Sequence, residues 1–468
     1  MNHRLEELPY FEDSAALFLP WADRPWAVFL DSGFPHSRQG RYDILAADPV
    51  VTLVTRGEIT EITQGGHTEC SREDPFTLLS RHLGPRSDSL GDLPFPGGAI
   101  GYLGYDLARR IEQLPVLSVD QENIPDMMFG IYAWAVVVDH VARRTHLVGR
   151  SDVEGLDTRW PHLIRQFSQI QTLGWRTGGF EVLEAPRPSL DLPAYLSAFE
   201  RIKHFIREGD CYQVNLALRF EAATLGHPWM AYQHLRSFNP APFGAFLSYP
   251  GLEILSSSPE RFIRVKNRDI ETRPIKGTRP RLHDVIGDAT QVLALRDSLK
   301  DRAENLMIVD LLRNDIGKSS VPGSVRVPRL FEIESYATVH HMVSTIIGKL
   351  RASLSPLDLL RGCFPGGSIT GAPKIRAMEI IESLEPDRRG VYCGAIAYIG
   401  FDGNMDSNIA IRTLVHSDRK LRFWAGGGIV HDSTGDAEYE ECYHKAAAML
   451  RLAEAWRSRV EHVSPLGY

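Results

Sequence analysis

No stretch of this 468-residue chain approaches the ~20 apolar residues that a membrane-spanning helix requires. Cysteine is scarce: the five present (Cys70, Cys211, Cys363, Cys393 and Cys442) are scattered and never in CxxC spacing. That argues against a disulfide framework or a zinc site and suits a reducing cytosol. Neither sign of charge dominates, with 52 Lys and Arg against 59 Asp and Glu and a net charge of −7. At pI ≈ 6.2 there is no basic footprint to recruit nucleic acid or an anionic membrane. The opening "MNHRLEELPYFEDS" lacks the hydrophobic region of a secretion signal. Nucleotide fingerprints are missing too. "PFPGGAIGYLGYD" (94–106) is glycine-rich without GxGxxG spacing, and 364–381 does not satisfy GxxxxGK[ST]. A chain that is 43% hydrophobic and 24% charged then reads as a cytoplasmic globular protein, an enzyme rather than a scaffold.

What is present divides at "EAPRPSLDLP" (184–193), a Pro-rich polar junction, into an N-terminal β-rich part, 1–183, and a second part, 184–468. In the first, "RYDILAADPVVTLVTRGEITEIT" and "GIYAWAVVVDHVARRTHLVG" read as strand pairs. The second opens on "DLPAYLSAFERIKHFIREGD", whose Tyr195, Phe199, Ile202 and Ile206 recur at helical spacing before Gly209. Further helices are predicted over 297–313, 356–362, 373–384 and 436–457. Strands are predicted over 211–220, 245–250, 253–257, 261–271, 391–401, 406–416 and 420–430, with a hairpin turn at Asp402-Gly403. The elements are grouped rather than strictly alternating, which implies an α+β fold with mainly antiparallel sheet.

Several groups could carry chemistry. Asp301 and Glu304 share one helix face, and Glu438 and Glu441 share another, with His444 one turn on. If the two helices converge, they form an oxygen-rich pocket suited to a hard cation such as Mg2+, although isolated acidic pairs are more often solvated faces. Glu260 in "SSSPERF" is a candidate general acid if burial raises its pKa; standing alone it reads as an exposed turn residue. "FPGGSITGAPKIRAMEII" (364–381) runs a flexible Gly/Ser/Thr loop into a helix start, where backbone N–H groups bind carboxylates or phosphates. "WAGGGIVHDS" (424–433) lets backbone approach a ligand closely. Arg412 in an apolar strand calls for an anionic partner. Lys276 in "TRPIKGTRPR" is either a surface lysine or, if desolvated, a nucleophile. Together these point to a site for a small carboxylated substrate and a hard metal, without naming the reaction.

As a set, "GDCYQVNLALRF", "SSSPERF", "RPIKGTRPR", "AENLMIVDLLRNDIGK", "VHHMVSTI", "PGGSITGAPKIRAMEIIE", "YCGAIAYIGFDGNMDSNIAIRTL" and "WAGGGIV" resemble the chorismate-utilising enzyme family. The resemblance covers nearly all of 190–468 and is weaker before that. It implies large, mainly antiparallel sheets packed as a sandwich and flanked by helices. Two positions resemble the members that aminate chorismate at ring carbon 4. Lys276 stands where the ortho-aminating anthranilate synthases, the alternative reading, carry alanine. Gln213 stands where water-adding members carry a lysine base.

The resemblance also assigns roles. Lys276 would attack ring carbon 2 and expel the 4-hydroxyl, with Glu260 as the acid and His341 beside the reacting ring. Glu304 and Glu441, supported by Asp301, would hold Mg2+. Gln213, Thr278, Ser368, Thr370, Tyr392, Arg412 and the Gly426, Gly427 and Gly428 amides would contact substrate. His444 departs from the family pattern and is a poor Mg2+ partner. No GxCxG elbow of a glutaminase is present, which implies a separate glutamine amidotransferase subunit as ammonia source. The product expected is 4-amino-4-deoxychorismate, on the way to 4-aminobenzoate and folate. Ser32 lies where family members keep an amino-acid pocket, and a bound tryptophan is expected there.

Overall fold

The computed structural model describes residues 3–36, 40–153, 155–169, 179–282, 284–336 and 339–457. Among these residues the strands assemble into two large antiparallel sheets, each hydrogen-bonded from one edge to the other. The first runs His3–Leu8, Arg144–Arg150, Trp134–Asp139, Tyr42–Ala46, Ala27–Asp31, Phe243–Tyr249, Leu252–Ser258, Thr413–Ser417, Lys420–Ile429, Gln213–Leu225 and Glu181–Val182. The second runs Ile275–Pro280, Val339–Lys349, Asp269–Thr272, Arg261–Lys266, Met405–Asn408, Ala395–Gly400, Gly98–Leu103, Met127–Tyr132, Val51–Arg56, Ile59–Gln64 and His67–Ser71. The expected sandwich of antiparallel sheets is what the chain forms.

Period-two alternation explains why the first sheet is covered on both faces. Val28, Ala245, Leu247, Ile254, Val415 and Trp424 point into a core shared with the second sheet. Their neighbours Ala27, Phe29, Phe246, Leu255, Leu414, Phe423 and Ala425 point the other way, into a second core. That outer core is roofed by helices Leu156–Phe167, Leu192–Arg207, Trp229–Phe238, Lys374–Leu384 and Gly435–Ala455. Leu192–Arg207 forms as the sequence predicts. Asp191 caps its start by accepting from the Ala194 N–H at 2.9 Å, and Gly209 follows its end with φ 81°.

Both sheets draw strands from either side of residue 183. Ala27–Asp31 pairs with Phe243–Tyr249, and Gly98–Leu103 pairs with Ala395–Gly400. Several predicted strands divide. The segment 261–271 is a hairpin, turning at Asn267 and Arg268, both at positive φ. The segment 406–416 contributes Met405–Asn408 to the second sheet and Thr413–Ser417 to the first. The loop before Lys374–Leu384 does not run straight into that helix. A short 3-10 turn, Gly367–Ile369, and a two-residue strand, Gly371–Ala372, come first, the latter paired with Gln213–Val214. No described helix is long and apolar enough to cross a membrane.

Phe246 is fully buried among Phe18, Trp229 and Tyr232 in the outer core. Phe246→Ala is expected to lower unfolding free energy by about 3–5 kcal/mol, measured by denaturant titration.

Candidate active site

The site grows from two places where the chain changes sheets. Strand Leu252–Ser258 belongs to the first sheet and Arg261–Lys266 to the second, with Glu260 in the step between them. Beside it, residues 409–412 step back from the second sheet to the first. The two segments are tied by the Ile409 N–H to the Glu260 carbonyl (3.0 Å) and by the Ser258 hydroxyl to the Ile409 carbonyl (2.6 Å). Because the Thr413–Ser417 ladder meets Lys420–Ile429 only as far as Phe423, residues 424–429 keep one edge without a strand partner among the described residues. Gly426, Gly427 and Gly428 lie there, paired on the other side with Ala217, Leu216 and Asn215.

Glu260 is buried, and its Oε1 accepts from the Ser368 hydroxyl at 2.8 Å. Burial pushes its carboxyl above the ordinary glutamate range, against the opposing pull of Ser368, Lys276 and Lys445. Lys276 is partly buried, and its Nζ donates to the Ser368 carbonyl at 3.2 Å. Desolvation holds the amine below the ordinary lysine value, although Glu304, Glu260 and Glu441 favour its charged form. A protonatable acid and a depressed amine therefore meet on one serine.

Helices Leu299–Gly317 and Gly435–Ala455 converge on the same region and bring the carboxylates with them. Burial raises Glu304, and Asp301 and Glu438 raise it further. Glu438 is buried, accepts from the Ser433 hydroxyl at 2.6 Å, and is raised by burial and by Glu441. Burial would raise Glu441 as well. The Lys445 ammonium, 2.6 Å away, together with Lys300 and Lys276, outweighs burial and holds Glu441 low. Lys445 also donates to the Gly426 carbonyl at 2.9 Å. A Cβ on Gly427 would lie 2.8 Å from Glu438 Oε2 and 3.8 Å from Glu441 Oε1, so the glycine keeps this cradle open. Among the described residues no group of three or more His, Cys, Asp or Glu side chains is arranged to hold a metal ion by itself. An open, oxygen-only half-site is what Mg2+ uses when substrate oxygens complete its shell.

The remaining candidates divide. His341 Nδ1 and the Thr278 hydroxyl are 2.9 Å apart, across paired strands. Burial, with Arg412 adding repulsion, pushes His341 down to about 4, so at neutral pH it is an uncharged hydrogen-bonding group. Arg412 sits at φ 53° and donates to the Lys445 carbonyl; burial holds its guanidinium below the ordinary arginine value, with Tyr392 and Glu441 only partly offsetting that. Tyr392 is buried and stacked on Trp424. Gln213 is fully buried beside Gly428 with neither amide atom paired within the protein. The Thr370 hydroxyl instead donates back into its own turn, to the Gly366 and Gly367 carbonyls. Asp301 is engaged by Arg279 at 2.9 Å. His444 is exposed and takes no part in the cluster.

Glu438 and Lys445 are the residues that motif reading underweighted. Helical spacing alone placed Glu438 beside Glu441 but could not say which face looks at the glycine strand. Ser32 stands apart, with its hydroxyl donating to Asp43 at 2.7 Å on the wall of a separate cavity of about 640 Å³.

The family of chorismate binding enzymes matches residues 30–451. The component 1 of aminodeoxychorismate synthase from Klebsiella aerogenes is 47% identical over 96% of this chain and 98% of its own length. Anthranilate synthase component 1 from Thermus thermophilus is 37% identical over 97% of each. Among solved structures, anthranilate synthase component I from Streptococcus pneumoniae superposes with a TM-score of 0.79 at 33% identity, covering 89% of this chain and 93% of that one.

Two measurements check the geometry. NMR titration of the histidines should place His341 near 4, with proton uptake only as the pH falls well below neutrality; an ordinary midpoint near 6.5 would contradict its burial. Gly427→Ala, which pushes a methyl against Glu438, should weaken Mg2+ binding in calorimetry while leaving thermal stability nearly unchanged.

Proposed function

The chain belongs to the chorismate-binding enzyme family, and we propose that it replaces the 4-hydroxyl of chorismate with an amino group, releasing 4-amino-4-deoxychorismate and water. The observation that carries the reading is Ser368, which holds the Glu260 acid with its hydroxyl and the Lys276 amine with its carbonyl. The higher identity to the aminodeoxychorismate relative than to the anthranilate relative, 47% against 37%, agrees with it. The product feeds 4-aminobenzoate and folate synthesis.

Neutral Lys276 attacks ring carbon 2, both ring double bonds shift by one position toward carbon 4, and the C4–O bond breaks. The departing oxygen takes the Glu260 proton and leaves as water. The new ammonium at Lys276 returns its extra proton to the Glu260 carboxylate. Ammonia then bonds to carbon 4, the C2–N bond breaks, and its electron pair returns to Lys276, which takes the proton shed by the incoming nitrogen. A covalent intermediate divides one difficult displacement into two easier ones. Burial serves both partners, because it favours the uncharged form of the amine and of the acid at once. His341, neutral and held by Thr278, and Gln213, with an unspent amide, are fitted to orient the ring without adding charge. The Gly426–Gly428 amides, Arg412, Tyr392 and Thr370 border the substrate.

Glu304, Glu438 and Glu441, with Asp301 at the margin, would hold Mg2+, which when bound would neutralise and orient the ring carboxylate. Ammonia comes from a glutamine amidotransferase subunit, in keeping with the "component 1" in the relatives' names. Residues 184–468 supply the chemistry and 1–183 complete the sheets. The cavity beside Ser32 is read as a tryptophan pocket; purified protein, denatured and extracted, should release tryptophan, and its absence would count against that assignment.

Chorismate, Mg2+ and an ammonium salt, coupled to an added aminodeoxychorismate lyase, should yield 4-aminobenzoate. Lys276→Ala should abolish most of that yield, and Glu260→Gln should lower it by about 10²–10⁴-fold. With ammonia withheld, mass spectrometry should find chorismate less one water on the Lys276 peptide. Fluorescent anthranilate from the wild type would overturn the reading. The rate should pass through a maximum with pH, because it needs Lys276 without its extra proton and Glu260 with its proton, and burial moves the two pKa values toward each other from opposite sides.

A further inference from the structure

Arg389 is 1% exposed, and its side chain makes no hydrogen bond to the substrate-site residues named above, yet it is bonded to the segments that carry them. Its Nε and Nη2 grip Glu385 at 2.9 and 2.7 Å, a two-point pair that fixes the guanidinium plane. From that plane Nη1 donates to the Ile369 carbonyl at 3.1 Å. Nη2 donates to the Asn215 carbonyl at 3.1 Å, with the Asn215 side-chain oxygen at 3.3 Å. Glu385 completes the frame by accepting from the Ala217 N–H at 2.9 Å. The guanidinium carbon lies 5.7 Å from the centre of the Tyr392 ring, and the Tyr392 N–H bonds to the Arg389 carbonyl at 3.0 Å.

The segments joined this way already meet through the Asn215 N–H and the Thr370 carbonyl, 2.8 Å apart, and through the pairing of Gly371–Ala372 with Gln213–Val214; Arg389 fixes the carbonyls next to that contact. Ile369 follows Ser368, and Asn215 lies two residues beyond Gln213, directly opposite Gly428. We infer that Arg389, with Glu385, is a positioning residue for the reaction: by holding the Ile369 and Asn215 carbonyls it sets where Ser368 presents the acid and the amine to each other, and where Gln213 meets the ring. A lysine could supply the charge but not two carbonyls and a carboxylate in one plane. This inference rests on the proposed amination only for the identity of the acid and the nucleophile.

Removing one partner of a buried pair strands the other charge, so folding must be separated from positioning. Arg389→Lys, Arg389→Met and the double change Arg389→Met with Glu385→Met are compared with Arg236→Met. Arg236 forms an equally buried arginine pair with Asp31, away from the reacting groups, and matches the structural cost. Each variant is scored by thermal melting, by kcat and KM for chorismate in the ammonia-dependent assay, and by the rate of adduct formation on Lys276. The expected result is kcat lower by about 100-fold in all three Arg389 variants with KM changed less than about threefold, because an ångström of misplacement acts on the barrier more than on binding. Adduct formation should slow by the same factor. Arg236→Met should lose melting temperature without that fall in kcat.

The inference is overturned if Arg389→Lys keeps wild-type kcat, if KM rises while kcat holds, or if kcat falls only in proportion to melting temperature, as in Arg236→Met. Should Arg389→Met not fold, Arg389→Lys and the double variant decide. If the wild type forms product without any adduct, the covalent step fails, while the comparison of kcat still judges Arg389.

Discussion

Between Ser258 and Arg261, and again between Asn408 and Thr413, the backbone leaves hydrogen bonding in one sheet and takes it up in the other, and its polar groups in transit must find partners. They find them in each other. Ile409 bonds to Glu260, the Ser258 hydroxyl to Ile409, and the Ser257 N–H to the Arg412 carbonyl. A third segment joins when Cys393 and Gly394 exchange bonds with Ala410. This crossing puts Glu260 inside the protein, brings Tyr392 to the same wall, and ends the strand that would otherwise have covered the Gly426–Gly428 edge. A single continuous sheet would have paired those glycines on both sides and left no floor for a ligand.

Burial then decides the protonation states, and it does so for groups of opposite sign together. Moving a carboxyl and an amine out of water favours the neutral form of each, whereas their mutual attraction favours the charged pair. Desolvation is the larger effect at Glu260, Lys276, Glu304 and Glu438. Glu441 goes the other way because a direct contact with Lys445 at 2.6 Å, with Lys300 and Lys276 adding to it, outweighs its burial. One carboxylate is thus held ionised beside neighbours that burial pushes toward neutrality, a division that follows from contact geometry rather than residue type.

Much of the fold was legible because its elements are strongly periodic. Leu192–Arg207 and the alternating strands around Phe246 and Phe423 announce themselves in the spacing of apolar residues. Helix Val285–Arg296 went unread for the opposite reason. Leu295 is its only buried residue, while Val285, Ile286 and Leu293 are exposed, so packing does not hold it as it holds the other helices. The run 406–416 looked like one strand because both of its strands are apolar, and the break at Arg412 depends on partners far away in sequence. In the site, Glu260, Lys276 and Glu441 were identified from motifs. Glu438 was paired with Glu441 by helical spacing, but its contact with the glycine strand, and that of Lys445, emerged only when the helix rotation was known, and His444, next to Lys445 in sequence, turned out to face solvent.

The sequence by itself determined which chemistry was available: an amine in "PIKGT", an acid in "SSSPERF", acidic helix faces and glycine-rich edges, together with local periodicities that short-range sterics and burial impose. Only the tertiary structure decided that residues 260, 276, 368 and 445 meet, that one serine serves both acid and amine, and that a buried arginine ties their segments together. The physical reason is that a pKa or a hydrogen bond depends on what lies within a few ångströms through space. In this fold those four come from a crossing between the sheets, a strand, a 3-10 turn and a helix, and are separated by as many as 185 positions along the chain, from Glu260 to Lys445.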